Sequence, residues 1–242
     1  MVHGSRHLPR NGYRLITYDA RGHGKSDPAE SYDYTGLMGD LGSVIDSTGA
    51  LEAGPLILGG HSMGCHTATA WALSNPGDVA GLILIGPVYA GEADDHDRWD
   101  RRADALEQGG PDAFAEVVAE NSPDETVRET TFRLARDRAR LHEHPEAVAQ
   151  ALREIPRSRP FGKLGDLASL AVPVLVVASH DDFDPGHPRA IAEQWAGVIP
   201  GSELVIEDPG ESPLAWQGGI LSREIGSFLE RHGLARSGGL AE

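Results

Sequence analysis

Five short aliphatic runs punctuate the chain: Tyr13 to Tyr18, Pro55 to Gly60, Val79 to Ile85, Val172 to Ala178 and Leu204 to Glu207. Each is rich in Val, Ile or Leu and bounded by Gly, Pro or Asp, the pattern of a strand buried on both faces. Between the first two runs, Leu37, Leu41, Val44, Ile45 and Thr48 share one helical face, and Leu221, Ile225, Phe228 and Leu229 repeat that spacing near the end. Strand and helix therefore alternate, which predicts an α/β protein with a mostly parallel sheet flanked by helices. Gly233 stands where the last helix should stop, and residues 235–242 carry too little apolar surface to hold a conformation, so a mobile tail is expected.

The alternation breaks between Gly86 and Ala171. No strand-like run occurs there, while Trp99, Leu106, Phe114, Val117, Val118, Phe132, Leu134 and Leu141 recur among charged residues at roughly helical intervals. The expected organisation is a core in two parts, 1–86 and 172–234, interrupted by a helical insertion, 87–171, and followed by the tail, 235–242. Acidic residues crowd the first half of the insertion, whereas Arg128, Arg133, Arg136, Arg138, Arg140, Arg153, Arg157 and Arg159 make the second half basic. Such a face is either solvated or an anion-attracting lid over a substrate.

Composition narrows the function classes. With 21 Lys plus Arg against 37 Asp plus Glu, the net charge of -16 repels phosphate backbones and anionic lipid surfaces, which excludes nucleic acid and membrane surfaces as partners. Cys65 is the single cysteine, so no intramolecular disulfide is available. No apolar stretch approaches the roughly 18 to 20 residues that span a bilayer. The first ten residues lack the apolar centre of a secretory signal, and a cytoplasmic location is the expectation.

The strongest chemical signal is Gly60-His61-Ser62-Met63-Gly64, set between an aliphatic run and a helix through Ala68, Ala70, Trp71 and Ala72. A serine on so sharp a strand-to-helix turn takes a strained backbone conformation, and flanking glycines remove the Cβ atoms that would collide. Ser62 Oγ is then presented at the carboxyl edge of the sheet. The Met63 N–H, opening the helix, can stabilise an oxyanion as an acyl group is transferred.

With this motif in place, the chain from Gly12 onward resembles the α/β-hydrolase superfamily, in its esterase, lactonase and haloperoxidase-like group. The stretch from Gly12-Tyr13-Arg14 through Tyr18-Asp19-Ala20-Arg21-Gly22-His23-Gly24-Lys25-Ser26-Asp27 looks like that family's fourth strand and following loop, in which His23 is structural. The insertion corresponds to the family's cap. Ser179-His180-Asp181-Asp182-Phe183-Asp184-Pro185 resembles the acid loop and implies Asp182 as the triad carboxylate, with Asp181 and Asp184 as fallbacks. The resemblance implies a serine hydrolase acting on a small-molecule carboxylic ester, thioester or lactone through an acyl-enzyme on Ser62, with no cofactor and no metal.

Two departures from that pattern matter. Glu203-Leu204-Val205-Ile206-Glu207-Asp208-Pro209-Gly210-Glu211-Ser212-Pro213-Leu214 looks like the last strand and base loop, yet Glu211 stands where the family carries its His. A carboxylate with a reference pKa of about 4.3 is a weak base toward serine at neutral pH. Three outcomes follow: Glu211 acts with a pKa raised beside Asp182, His187 or His180 serves as a displaced base, or a catalytically impaired protein binds a small ligand in the same pocket. The second departure is an N-terminally shortened fold. Only eleven residues precede Gly12, whereas the family places three strands there, the third lying between its fourth and fifth and followed by a loop donating the other oxyanion N–H.

Other residues weigh less. His142-Glu143-His144 lacks spacing that converges on zinc and reads as a solvated helix end; His96 among Asp94, Asp95 and Asp97 lacks a calcium-loop pattern. His61 and His66 flank the elbow as packed or backbone-bonded residues, and Cys65, at a helix start that lowers a thiol pKa, reads as a small buried filler.

Overall fold

The computed structural model describes residues 5–91, 96–180, 186–207 and 218–234. Four strands, β1 (Ile57–His61), β2 (Gly81–Ile85), β3 (Val174–Ala178) and β4 (Glu203–Ile206), form one parallel sheet in the order β1-β2-β3-β4. Register pairs His61 with Ile85, Ile85 with Val177, and Val177 with Val205, so the strand ends align along one carboxyl edge. The aliphatic runs decide which strands are interior: every residue of β3 is buried, and in β2 only Ile85 is partly exposed.

Helices cover both faces. Helix α2 (Tyr34–Thr48) starts where the Asp33 carboxylate accepts from Gly36 N–H and stops at Gly49, which takes the left-handed conformation that closes a helix. With α3 (Met63–Ser74) and α7 (Arg189–Val198) it encloses one core around Leu41, Ile45, Leu82, Leu84, Val176 and Trp195. On the other face α8 (Gly218–Arg231) and the short α1 (His7–Arg10) bury Leu8, Leu221, Ile225 and Phe228 against Ile83, Leu175 and Val177. Gly233 follows α8 at φ 65, the position expected from sequence, and Leu234 N–H donates back to Leu229 O at 2.8 Å.

The fifth expected strand, Tyr13 to Tyr18, does not form. Residues 13–20 run without helix or ladder, and Leu15, Ile16 and Tyr18 are 37, 36 and 42 % exposed. The reason is pairing: among the described residues β1 pairs with β2 alone, and an apolar cavity of about 430 Å³ lies between residues 12–18 and β1. An aliphatic run becomes a strand only when a neighbour accepts its backbone groups.

Between β2 and β3 lie α4 (His96–Ala119), α5 (Glu125–Ala139), α6 (Pro145–Glu154) and two 3-10 turns, Ile155–Arg157 and Leu164–Ser169. Helix α4 bends at Gly110, φ 67, just before Pro111. The opposing charges of this region meet one another. Arg153 donates to Glu107 at 2.7 Å and to Asp104 at 2.6 Å, Arg157 to Asp100 at 2.7 Å, and Arg140 to Asp112 at 3.2 Å. These arginines are thereby engaged with acids of α4, which accounts for the block-wise charge pattern in the sequence.

Candidate active site

Strand β1 reaches the carboxyl edge and the chain turns at Ser62 into α3. Ser62 has φ 54 and ψ -118, and among the described residues it is the only non-glycine with positive φ. Such a conformation costs on the order of 1–3 kcal/mol and persists only where the surroundings over-determine it. They do so here: Ser62 N–H donates to Ile85 O of β2 at 2.9 Å, and Ser62 O accepts from Cys65 N–H at 3.0 Å and His66 N–H at 3.2 Å. Gly60 is dictated by close approach, because a Cβ there would stand 2.1 Å from the Gly64 carbonyl carbon. The Ser62 side chain makes no capping hydrogen bond to α3, unlike most serines at a helix start. Met63 supplies the first N–H of the helix, one of the donors with no carbonyl partner inside it.

The expected acid and base loops leave β3 and β4 at the same edge. Asp181, Asp182 and Asp184, and likewise Glu211, lie outside the described residues. His180 is half-buried just past β3. His187 is brought to the elbow: its ring centroid lies 4.6 Å from that of His61, and a Cβ on Gly86 would come within 3.0 Å of its Cγ. His61 and Gly86 directly flank the Ser62 N–H to Ile85 O bond, so His187 sits beside the turn that carries the serine. Gly86, at φ 56, makes room for that ring.

The remaining candidates hold structure. His66, buried in α3, accepts at Nε2 from Val88 N–H at 3.1 Å and Tyr89 N–H at 3.3 Å; its Nδ1 therefore carries the proton and faces Tyr34 Oη at 2.9 Å. Burial pushes the Cys65 thiol well above its ordinary range, overriding the helix-start effect expected from sequence. His23 Nδ1 lies 3.0 Å from Arg21 O. Contrary to expectation, His142 is not on a solvated helix end. It lies between α5 and α6, where its Nδ1 accepts from Gly24 N–H at 2.8 Å while Glu143 N–H donates to Gly24 O at 2.9 Å. Burial, with His23 edge-on at 5.4 Å, holds the His142 pKa below its ordinary value, and Asp19 opposes that shift.

This clip belongs to a seam that sequence reasoning missed. Tyr32 N–H donates to Glu154 Oε2 at 2.8 Å, and Met63 packs into an apolar cluster of Tyr32, Tyr34 and Leu37 with Ala147, Ala151 and Ile155 of the α6 region. A second missed contact joins the roots of the two loops, where Ser179 Oγ donates to the buried Glu207 Oε2 at 2.9 Å. Its only sequence signal is a carboxylate ending an aliphatic run.

Comparison with known proteins supplies a family context. A model of the alpha/beta hydrolase fold matches residues 4–172. The chain is 31% identical over 202 residues, 82% of its length and 75% of the relative's, to "Putative carbamate hydrolase RutD" of Agrobacterium fabrum. Among solved structures it is similar to a thermophilic esterase from Thermogutta terrifontis, with a TM-score of 0.68 and 24% identity over 88% of this chain and 78% of that one. It is similar as well to an esterase from Exiguobacterium antarcticum, with a TM-score of 0.62 and 28% identity over 93% of this chain and 81% of that one.

Proposed function

Since the chain belongs to the alpha/beta hydrolase fold family, we propose that it is a serine hydrolase that cleaves a small carboxylic ester, thioester or lactone through an acyl-enzyme on Ser62. The observation that carries this reading is the strained conformation of Ser62 at the β1–α3 turn, with its hydroxyl uncommitted to helix capping. The relatives named as a carbamate hydrolase and an esterase support attack at an acyl carbon. A cytoplasmic setting, expected from the single cysteine, belongs to the same proposal. Among the described residues no helix is long and apolar enough to cross a membrane.

In the proposed reaction a base takes the Ser62 proton as Oγ bonds to the carbonyl carbon. The Met63 N–H receives the oxyanion of the tetrahedral intermediate. The base returns its proton to the departing alcohol or thiol, and then activates the water that releases the acid. His187 and Glu211 compete for that role. The contact of His187 with His61 and Gly86 supports His187; the resemblance of the loop around Glu211 to the family's base loop supports Glu211, with Asp182 as the carboxylate partner.

Turnover of a short-chain p-nitrophenyl ester tests the proposal, with Ser62→Ala as the blank. Loss of a general base costs about 10²- to 10⁴-fold, so His187→Gln falls by that much if His187 is the base, and Glu211→Gln falls instead if Glu211 is. Glu211→His raises turnover by orders of magnitude if the site otherwise matches the family, and a flat response counts against that alignment. Equal rates for wild type and Ser62→Ala would replace the hydrolase by a ligand-binding protein of the same fold.

A further inference from the structure

A row of contacts seats the insertion on the loop that precedes α2. Along α6, a Cβ on Gly22 would stand 2.9 Å from that of Ala147, Gln150 Nε2 donates to Glu30 O at 3.3 Å, and Glu154 Oε2 accepts from Tyr32 N–H at 2.8 Å. The near end of the row is the α5–α6 corner, where two bonds meet on one glycine. Gly24 N–H donates to His142 Nδ1 at 2.8 Å, and Gly24 O accepts from Glu143 N–H at 2.9 Å. The Asp19 carboxylate, accepting from Lys25 N–H at 3.1 Å, leaves no room for a Cβ on Gly24, which has φ 55. Of these contacts only the one at His142 has an imidazole as acceptor. A backbone N–H donates only to a ring nitrogen that carries no proton, so His142 is bound neutral, with its proton on Nε2. A second proton, taken from solvent at Nδ1, turns the acceptor into a donor facing a donor, and the bond is lost. Burial opposes that protonation most, His23, edge-on at 5.4 Å, adds to the opposition, and Asp19 favours it. Lys25 stands exposed beside them on the loop. On the corner itself Glu143 is exposed, Arg138 and Arg140 lie at the end of α5 with Arg140 drawn to Asp112, and His144 pairs with Glu146 at 3.6 Å.

We propose that His142 is a pH-operated latch on the insertion: neutral, it fastens the α5–α6 corner to residues 19–27, and protonated, it releases that corner while the sheet stays folded. Three features carry this. The second bond of the corner comes from the adjacent residue, Glu143, so one displacement breaks both. The insertion is braced within itself, by Arg153 to Asp104 and Glu107, Arg157 to Asp100, and the packing of Leu106 with Ala139, Val148 and Ala149, so it keeps its own structure when the corner lifts. The Asp19 carboxylate is already engaged by the Lys25 N–H, and it sits on the loop that the corner leaves. Met63 packs against Ala147, Ala151 and Ile155 in the same seam, which places the latch at the edge of the contact between the insertion and the Ser62 turn. Neither state of the latch requires Ser62 to be active.

The test is amide hydrogen exchange on the full chain, with each rate divided by the intrinsic rate of an unstructured amide at the same pH. The Gly24 and Glu143 amides report the latch, and the Leu82 amide, which donates to Pro173 O inside the sheet, reports global unfolding. A released imidazole binds a proton at a reference pKa of about 6.5 and a latched one does not, so protection of Gly24 and Glu143 should fall about tenfold between about pH 7.5 and about pH 5.5. At both pH values these two amides should exchange faster than Leu82. His142→Asn sets an amide oxygen where Nδ1 stands, an acceptor that does not titrate, and should keep the protection at both pH values. His142→Ala removes the acceptor and should lower the protection at both. Protection that does not change with pH in the wild type would overturn the proposal. Exchange at the rate of Leu82 would overturn it too, because the corner would then open only when the whole protein unfolds. A fall in His142→Asn as steep as in the wild type would assign the titration to another group, and wild-type protection in His142→Ala would remove His142 from the latch; either result overturns the proposal.

Discussion

The two sides of the sheet differ although their sequences look alike. On the β2–β3 side, aliphatic runs pair with neighbours on both edges and disappear into the core: Leu84, Val176 and Val177 are fully buried. On the β1 side the equally aliphatic run from Tyr13 to Tyr18 stays unpaired and β1 borders a cavity. The Ser62 turn hangs from that open side, yet its geometry is fixed from the closed one, through Ser62 N–H to Ile85 O and the helical bonds of α3. A strained turn thus needs only one rigid flank.

The contrast is sharpest in stability. Leu84→Ala removes a side chain with no exposed surface and should destabilise by about 2–5 kcal/mol in urea titrations. Gly60→Ala sits on the open strand but pushes a methyl group into the backbone of Gly64, so a loss of about 1–3 kcal/mol is expected, together with relaxation of the Ser62 turn. A smaller, pH-dependent effect should mark the seam to the helical insertion between β2 and β3. His142 is held below its ordinary pKa, so the unfolded chain binds more protons as pH falls through the reference value of about 6.5, and stability drops with it. His142→Gln should flatten that part of a Tm profile taken from about pH 7.5 to about pH 5.5; an unchanged slope would separate the clip from the titration. Smallest of all, Ile16→Ala should shift stability by no more than about 0.5 kcal/mol. A loss matching that of Leu84→Ala would erase the distinction between the two sides.

The sequence made four strands, the elbow and the principal helices legible because each is written in local periodicity or in a short motif with a backbone requirement. Tyr13 to Tyr18 carries the same local signal and fails as a strand, since pairing depends on a neighbour that periodicity cannot supply. His142 and Glu154 were opaque for a related reason: their partners Gly24 and Tyr32 are more than a hundred residues away, and no local pattern encodes a contact across that distance. The charge blocks of the insertion were legible as blocks, but their mutual neutralisation became visible only once α4 was seen to fold against α5 and α6. At the site itself, Ser62 and Met63 were read from the turn motif, whereas the choice between His187 and Glu211 turns on geometry that spacing does not contain.

The most direct measurement of the central claim is reaction of the folded protein with a fluorophosphonate probe, mapped by peptide mass spectrometry, with Ser62→Ala alongside. The account predicts rapid labelling at Ser62 alone, absent from Ser62→Ala. A folded protein that stays unlabelled, or that labels at another residue at the same rate in both forms, would contradict it.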